Sequence, residues 1–199
     1  MRVKWVVGMV LVLYGLAVHG ALAAATPSDV VRTGIDRVLA AVGAQTGDLK
    51  ERRQAVRNVA SQYLDFDEMA KRSLGAYWNQ QPPEKKQSFI SLFSQCLFNE
   101  YIRKIEDVDA GRIHLTGQDI QGDFAKVTSL MVVDEKQGDQ YRIEYRLHQK
   151  DGEWKVYDIS VEGVSLINNY RSQFGSILSK SSFDALLNQL KEKIAQQQS

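Results

Sequence analysis

A change in the spacing of apolar residues divides this chain and limits what it can fold into. Up to about residue 107 the apolar residues recur at helical spacing, but from Arg112 they alternate with polar residues. The alternation runs through four segments, and Asp151-Gly152, a pair typical of a two-residue hairpin turn, separates the last two. Helical spacing returns after Leu166. The pattern predicts an α+β protein in which helices pack on a four-stranded antiparallel meander.

Capping signals predict where the helices begin and end. Thr26-Pro27-Ser28-Asp29 combines an N-cap, a proline in the first turn and an acid at the third helical position. Asp65 and Gly75 bracket a short helix, and the longest helix is expected from near Pro83 to about residue 107. The two C-terminal helices are expected to start at Asn168 or Asn169 and after Ser182.

The first 23 residues have the three parts of an export signal. Arg2 and Lys4 precede an apolar run over residues 5–18, and small residues follow. We expect cleavage after Ala23, with Ala25 as the alternative. No cysteine follows the apolar run closely, which excludes the bacterial lipoprotein route. The mature chain is therefore expected to be exported to the periplasm.

The rest of the chain is expected to form a single domain, since no linker or internal repeat interrupts it. We divide this domain, residues 24–199, into a helical part (24–110), an antiparallel sheet (111–163) and C-terminal helices (164–195). No second apolar run approaches the length of a membrane-spanning helix.

Charge and residue counts exclude several classes of function. There are 25 basic and 24 acidic residues, so no basic excess exists to neutralise nucleic-acid phosphates. Cys96 is the only cysteine, which excludes a disulfide framework and a cysteine-based metal site. His114 and His148 occupy polar-facing strand positions without metal-ligand spacing, and no phosphate-binding glycine motif occurs. The sequence therefore predicts neither a cofactor nor a metal.

One enzymatic possibility stays open. Asp158 lies between apolar strand neighbours, and Tyr145 and Tyr157 are expected nearby. A buried carboxylate in such a place has a raised pKa and can act as a base on a small hydrophobic substrate. The structural alternative, which we favour, is that Asp158 accepts hydrogen bonds from backbone or tyrosine near a strand end.

The positive signal in the sequence is an excess of apolar residues without a catalytic set. The long helix is apolar over most of its girth, and the second and fourth strands carry apolar residues on both faces. This excess fits either a large mixed core or a cavity for a hydrophobic ligand.

Three motifs resemble those of the MlaC family, the periplasmic phospholipid carriers of the Mla pathway, also known as toluene-tolerance or ABC-transporter auxiliary proteins. The longest runs over residues 154–166 and continues into Asn169-Tyr170-Arg171-Ser172-Gln173-Phe174. Phe66-Asp67-Glu68-Met69-Ala70 with Leu74-Gly75 and Trp78 is similar to the family's helical motif, as is Phe89-Ile90-Ser91-Leu92-Phe93 with Tyr101. The resemblance covers nearly the whole mature chain.

The resemblance implies a fold in which helices wrap a strongly curved sheet, similar to the NTF2-like cone, around an apolar pocket for acyl tails. It implies a monomeric, non-enzymatic carrier that exchanges phospholipid with an outer-membrane lipoprotein–porin complex and an inner-membrane MCE-domain ABC transporter. The role implied is maintenance of outer-membrane lipid asymmetry. An adaptor or chaperone that binds polypeptide in an apolar groove remains a further alternative.

Candidate lipid-binding residues follow from the apolar pattern on the long helix, the sheet and the segment after it. They are Phe93, Leu97, Tyr101, Val127, Met131, Tyr145, Leu147, Tyr157, Ile159, Val161, Val164, Leu166, Tyr170 and Phe174. Each has ordinary core packing as its alternative. Arg171 is expected either to face the lipid phosphate or to pair with an acid such as Glu162.

Overall fold

The computed structural model describes residues 25–44, 49–106, 112–134 and 139–198. The proposed export signal, residues 1–23, lies outside this part. The helices are α1 (Pro27–Gly43), α2 (Leu49–Tyr63), α3 (Phe66–Leu74), α4 (Pro83–Glu106), α5 (Leu166–Leu178) and α6 (Phe183–Gln198). A 3₁₀ helix, Gly75–Gln80, links α3 to α4. The strands are β1 (Ile113–Gln121), β2 (Phe124–Asp134), β3 (Asp139–Lys150), β4 (Glu153–Val161) and β5 (Val164–Ser165).

The prediction of an α+β protein with an antiparallel sheet is confirmed, but the sheet has five strands instead of four. Its order follows the chain, β1-β2-β3-β4-β5. The additional strand arises because Glu162 and Gly163 have φ values of 49° and 77°, close to the 52° and 81° of Asp151 and Gly152. Both pairs have the positive φ values that two-residue hairpin turns require. The chain therefore folds back at Glu162 instead of leaving the sheet.

The helix-start signals are confirmed at α1 and α3 and were misplaced at α5. Thr26 and Asp29 form a reciprocal capping box, and the Asp65 carboxylate accepts the Glu68 N–H at the start of α3. Helix α5 begins at Leu166 instead of Asn168 or Asn169, because the Ser165 hydroxyl accepts the Asn168 N–H. A serine N-cap thus ends β5 and starts the helix in one residue.

An irregularity in β4 changes which residues share a face. Leu147 pairs with Val156, whereas Arg146 pairs with Asp158, so Tyr157 has no cross-strand partner. Such a bulge reverses the alternation beyond it. The sequence alternation predicts Ile159 on the face opposite Val156, but the structure packs both residues into one cluster.

The buried apolar residues form two clusters. We call the first the helical cluster; it consists of residues from α3, α4, α5 and α6, namely Met69, Ala70, Leu74, Phe89, Phe93, Cys96, Leu97, Ile167, Tyr170, Phe174, Phe183, Leu186, Leu187, Leu190 and Ile194. We call the second the sheet cluster; it joins α1 to one face of β2, β3 and β4 through Val31, Ala125, Val127, Ile143, Tyr145, Leu147, Trp154 and Val156.

Candidate functional site

The sheet face that carries the sheet cluster changes from buried to exposed along its length. Val127 and Leu147 are fully buried, and Met131 and Ile159 are half-buried against the same cluster. At the end of the sheet where β4 turns into β5, the same face continues into three exposed apolar residues. These are Tyr141, Val161 and Val164, which are 45%, 43% and 58% exposed.

The strand register establishes that these exposed residues belong to the same face. Tyr141 lies opposite Met131, Ile143 lies opposite Val161, and Val161 lies opposite Val164. Since side chains directly opposite one another in an antiparallel ladder point to the same side, the apolar surface is continuous across β2, β3, β4 and β5. We call Tyr141, Val161 and Val164 the apolar rim.

Helix α1 covers the buried part of this face. Val31 is buried in the sheet cluster, and Val30 and Ile35 pack against it. The Ser28 N–H donates to the Gln118 side chain at 3.1 Å, which fixes the start of α1 beside β1. Helix α1 also approaches α2 closely, because a Cβ on Gly34 would lie 3.0 Å from the Tyr63 ring.

The structure distributes the fourteen predicted lipid-binding residues over three places. Five lie in or against the sheet cluster: Val127, Met131, Tyr145, Leu147 and Ile159. Seven lie in or against the helical cluster: Phe93, Leu97, Tyr101, Tyr157, Leu166, Tyr170 and Phe174. The remaining two, Val161 and Val164, belong to the exposed apolar rim.

Other residues of the sheet face were not among the fourteen predicted from the sequence. Tyr141 and Ile143 share the alternation of Tyr145 and Leu147, so their spacing alone would have identified them. The contribution of α1 through Val31 had no comparable signal, because amphipathic spacing does not say which sheet face a helix covers.

Three ionisable groups in the clusters are held in their neutral forms. Burial raises the pKa of the Tyr145 hydroxyl, and burial also raises the pKa of the Cys96 thiol. Burial raises the pKa of Tyr170 well above its usual range, and the neighbouring Glu100 carboxylate adds to the shift. The Tyr170 hydroxyl donates to Glu100 at 3.0 Å. Cys96 is a free cysteine that is buried in the helical cluster.

Asp158 is a structural anchor. It is 4% exposed, and its two carboxylate oxygens have separate donors. The Ser165 hydroxyl donates to Oδ2 at 2.7 Å, and the Ile167 N–H donates to Oδ1 at 3.1 Å. We favoured the alternative that Asp158 accepts hydrogen bonds from backbone or tyrosine near a strand end. The Ile167 N–H is such a backbone donor, but the second donor is Ser165 instead of a tyrosine. The carboxylate holds the first turn of α5 against β4.

Arg171 lies beside Gly75 and donates from Nε to the Arg72 carbonyl at 2.7 Å. Glu162 accepts the Arg142 N–H at 2.5 Å. Arg171 and Glu162 therefore each hydrogen-bond to another residue instead of pairing with each other. The Arg171 contact ties α5 to the end of α3.

A buried carboxylate at the start of α3 forms a polar cluster that the sequence analysis did not find. Asp65 accepts from the Glu68 N–H, lies 2.9 Å from His148 Nε2 and pairs with Lys150 Nζ at 3.1 Å. His148, which we expected on an exposed or rim position, is partly buried by this contact. No spacing in the sequence connects residue 65 to residue 148.

The Asp65 cluster predicts loss of stability in acid. Burial opposes ionisation of Asp65, but the hydrogen bonds from Glu68, Lys150 and His148 outweigh it and hold the pKa of the carboxyl below its usual value. Ionised Asp65 therefore stabilises the fold above its unfolded pKa of about 3.9, and this stabilisation is lost as pH falls through the folded pKa. We expect urea unfolding at pH 7, 4 and 2.5 to give a smaller acid-dependent loss for Asp65→Asn than for the unmodified chain. Equal losses would contradict this role for Asp65.

The described ranges also bear on two other features, a metal centre and a membrane-spanning helix. In those ranges no group of three or more His, Cys, Asp or Glu residues could hold a metal ion. The helices in that part of the chain include none with the length and apolar character needed to cross a membrane.

The fold and the candidate site define an α+β protein whose antiparallel sheet presents one continuous apolar face, covered by a helix at one end and open at the other. Residues 29–192 match the family model described as MlaC protein. The chain belongs to the MlaC family.

Relatives and a solved structure agree with this assignment. The chain is 23% identical to the intermembrane phospholipid transport system binding protein MlaC of Haemophilus influenzae, over 97% of this chain and 94% of the relative. It is 26% identical to the toluene tolerance protein ttg2D of Pseudomonas putida, over 82% and 78% of the two chains. It is similar, with a TM-score of 0.75 and 26% identity, to a phospholipid-binding protein from Ralstonia solanacearum solved in complex with a phospholipid. That match covers 89% of this chain and all of the other.

Proposed function

We propose that this protein is a soluble periplasmic carrier that shuttles phospholipid between the outer and inner membranes and so maintains outer-membrane lipid asymmetry. The observation that carries the proposal is the continuous apolar sheet face, which runs from fully buried Val127 and Leu147 to the exposed rim at Val161 and Val164. A site for acyl chains needs an apolar interior that opens to the surface. The names of the relatives, which describe phospholipid transport and binding, support the same function.

The energetics explain why such a carrier is needed. Burial of acyl chain stabilises by about 0.8 kcal/mol per CH₂, so two long tails represent on the order of 20 kcal/mol or more. A lipid cannot leave a membrane for water at that cost unless a protein replaces most of the apolar contact. Release at the other membrane then needs a partner that offers a competing apolar path or changes the carrier's conformation.

We propose that the acyl tails lie along the sheet face, between it and the helices, with the sheet curved around them in the NTF2-like manner that the family resemblance implies. The fourteen predicted residues remain the proposed lining. The five in the sheet cluster and the two on the rim have the strongest support, because one continuous face joins them. Arg171 remains a candidate for the headgroup phosphate, since its Nη atoms are not used in the contact with the Arg72 carbonyl.

The proposal includes export through the N-terminal signal and two membrane partners. These are the outer-membrane lipoprotein–porin complex and the inner-membrane MCE-domain ABC transporter that the resemblance implies. The carrier is proposed to act as a monomer, without an enzymatic step, a cofactor or a metal.

Mass spectrometry of an organic extract tests the cargo. We expect the purified mature protein to yield near-stoichiometric diacyl phospholipid, and a sample denatured and refolded without lipid to yield none. An empty native extract, together with failure to take up lipid from vesicles, would contradict the proposal.

Substitutions on the apolar rim test the site. We expect Val161→Asp with Val164→Asp to lower bound lipid at least threefold, because two carboxylates would be desolvated beside acyl chain. Both positions are exposed, so the free energy of unfolding should change by less than about 1 kcal/mol. The matched control is Ile120→Asp, which places a charge at a residue that is 48% exposed at the other end of the sheet, opposite Ala125. Equal lipid content in the rim variant and the control would exclude the rim from the entry path.

A further inference from the structure

Two cations lie directly opposite each other on the sheet face that α1 does not cover. Lys126 on β2 pairs in register with Arg146 on β3, and both side chains are exposed. Their face is the opposite one from Ala125 and Leu147, which belong to the sheet cluster. Like charges at directly opposed positions of an antiparallel pair destabilise it, so an anion nearby would be favourable.

The carboxylates next to these cations in the register are engaged elsewhere. Asp119, which lies opposite Lys126 on β1, accepts a hydrogen bond from the Gln121 side chain at 2.9 Å. Asp158, opposite Arg146 on β4, accepts from Ser165 and Ile167. In the described structure neither acid forms an ion pair with the cation that lies opposite it.

Other cations on β3, β4 and the adjoining α3 have carboxylate partners. The ion pairs are Lys71 and Arg72 with Glu68, Arg142 with Glu144, Lys150 with Asp65, and Lys155 with Glu153. Lys126 and Arg146 form no ion pair within the described ranges. They are therefore available for a carboxylate from outside the chain.

An exposed aromatic residue adjoins the two cations. Phe124 precedes Lys126 by two positions on the same face and is 50% exposed. Its ring meets Tyr157 edge-on, with centroids 6.3 Å apart, and the Arg72 guanidinium lies 4.0 Å from the Tyr157 centroid. Aromatic and arginine side chains together are typical of the residues that dominate protein–protein binding energy. We call Phe124, Lys126 and Arg146 the outer patch.

We propose that the outer patch docks an acidic surface of a partner protein, with carboxylates on Lys126 and Arg146 and an apolar side chain against Phe124. The proposal rests on the carrier function in that the partner is one of the membrane complexes that load or unload it. The outer patch lies on the opposite face from the proposed lipid site, so docking there leaves the apolar rim uncovered.

The local charge favours a protein over a bilayer as the partner. Adsorption to anionic lipid takes clusters of about 4–8 basic residues. The outer patch has two free cations among paired ones, with Asp119 and Glu144 close in the register. Such an arrangement suits a specific contact with placed carboxylates.

Charge reversal at both positions tests the proposal. Lys126→Glu with Arg146→Glu is compared with Lys180→Glu and Lys191→Glu, two exposed lysines outside the sheet that give the same change in net charge. Binding is measured to each of the two membrane complexes in nanodiscs of zwitterionic lipid, and to vesicles with 30 mol% phosphatidylglycerol. Circular dichroism and extractable phospholipid are recorded for every variant.

We expect the outer-patch variant to bind at least one complex ten- to a hundredfold more weakly, with the control unchanged and lipid content retained. Equal binding of the two variants to both complexes would overturn the proposal, as would no binding of the unmodified chain to either complex. A loss confined to the anionic vesicles would overturn it in favour of a membrane surface. Absence of lipid from all variants would instead contradict the carrier function.

Discussion

Phe93→Ala is expected to lower the free energy of unfolding by about 3–5 kcal/mol, the range found when a large aromatic side chain is removed from a core. Phe93 is fully buried in α4. Its ring stacks on Phe89 with centroids 5.5 Å apart and meets Tyr170 and Phe174 edge-on at 5.1 and 5.8 Å. Removal of this ring therefore leaves a cavity between α4 and α5. Urea unfolding monitored by circular dichroism measures the loss.

Phe98→Ala on the same helix is the matched control. Phe98 is half-buried, and the Arg57 guanidinium lies 5.0 Å from its ring centroid. We expect a loss of less than half that of Phe93→Ala. Similar losses for the two variants would contradict the central place of Phe93 in the helical cluster.

The same Phe93 variant bears on the lipid site. Phe93 was selected from the sequence as a lining residue, and its stacked contacts are those of a structural core. Since Phe93 has weaker support as a lining residue than the rim, we expect phospholipid per folded molecule to fall less in Phe93→Ala than in the rim variant. A large loss of lipid from the folded fraction would instead place acyl chain against the helical cluster.

Asp158→Ala is expected to lower the free energy of unfolding by about 2–4 kcal/mol, because hydrogen bonds to a charged acceptor contribute more than neutral ones and their loss leaves buried donors. The Ser165 hydroxyl and the Ile167 N–H would both lose their acceptor. Asp158→Asn should cost less, since an amide oxygen can still accept one of these bonds.

Ser165→Ala separates the parts of this contact. It removes the hydroxyl that donates to Asp158 and accepts the Asn168 N–H, while the Ile167 bond to the carboxylate remains. We expect a loss of about 1–2 kcal/mol, typical of an N-cap. If Asp158→Ala proved no more destabilising than Ser165→Ala, the Asp158 carboxylate would not be what anchors α5 to β4.

The element types were predictable because their signals are local. The capping box at Thr26 and Asp29 lies within one helical turn, and the Asp151-Gly152 turn lies within two residues. The fifth strand was missed although its turn is equally local. Glu162 adopts a positive φ, which is uncommon for glutamate, so its residue type does not indicate a second tight turn.

The division of the apolar residues was not predictable in the same way. Tyr157 and Ile159 share an alternation in the sequence, but the bulge opposite Arg146 and Leu147 sends them to different clusters. A bulge depends on how two strands pair, and that pairing joins residues far apart in the chain. The Asp65 and His148 contact, across 83 residues, depends on the same kind of packing.

By itself the sequence determined the order of the helices and of the first four strands and, through its motifs, the MlaC family. These features follow from the spacing of residues and from short motifs, which do not depend on distant partners. Only the tertiary structure decided which apolar residues form a sheet face that opens at Val161 and Val164. It also decided which cations on the other face form no ion pair with a carboxylate of the described residues. Both depend on strand register and on the position of α1, since a side chain's surroundings are set by elements distant in the chain.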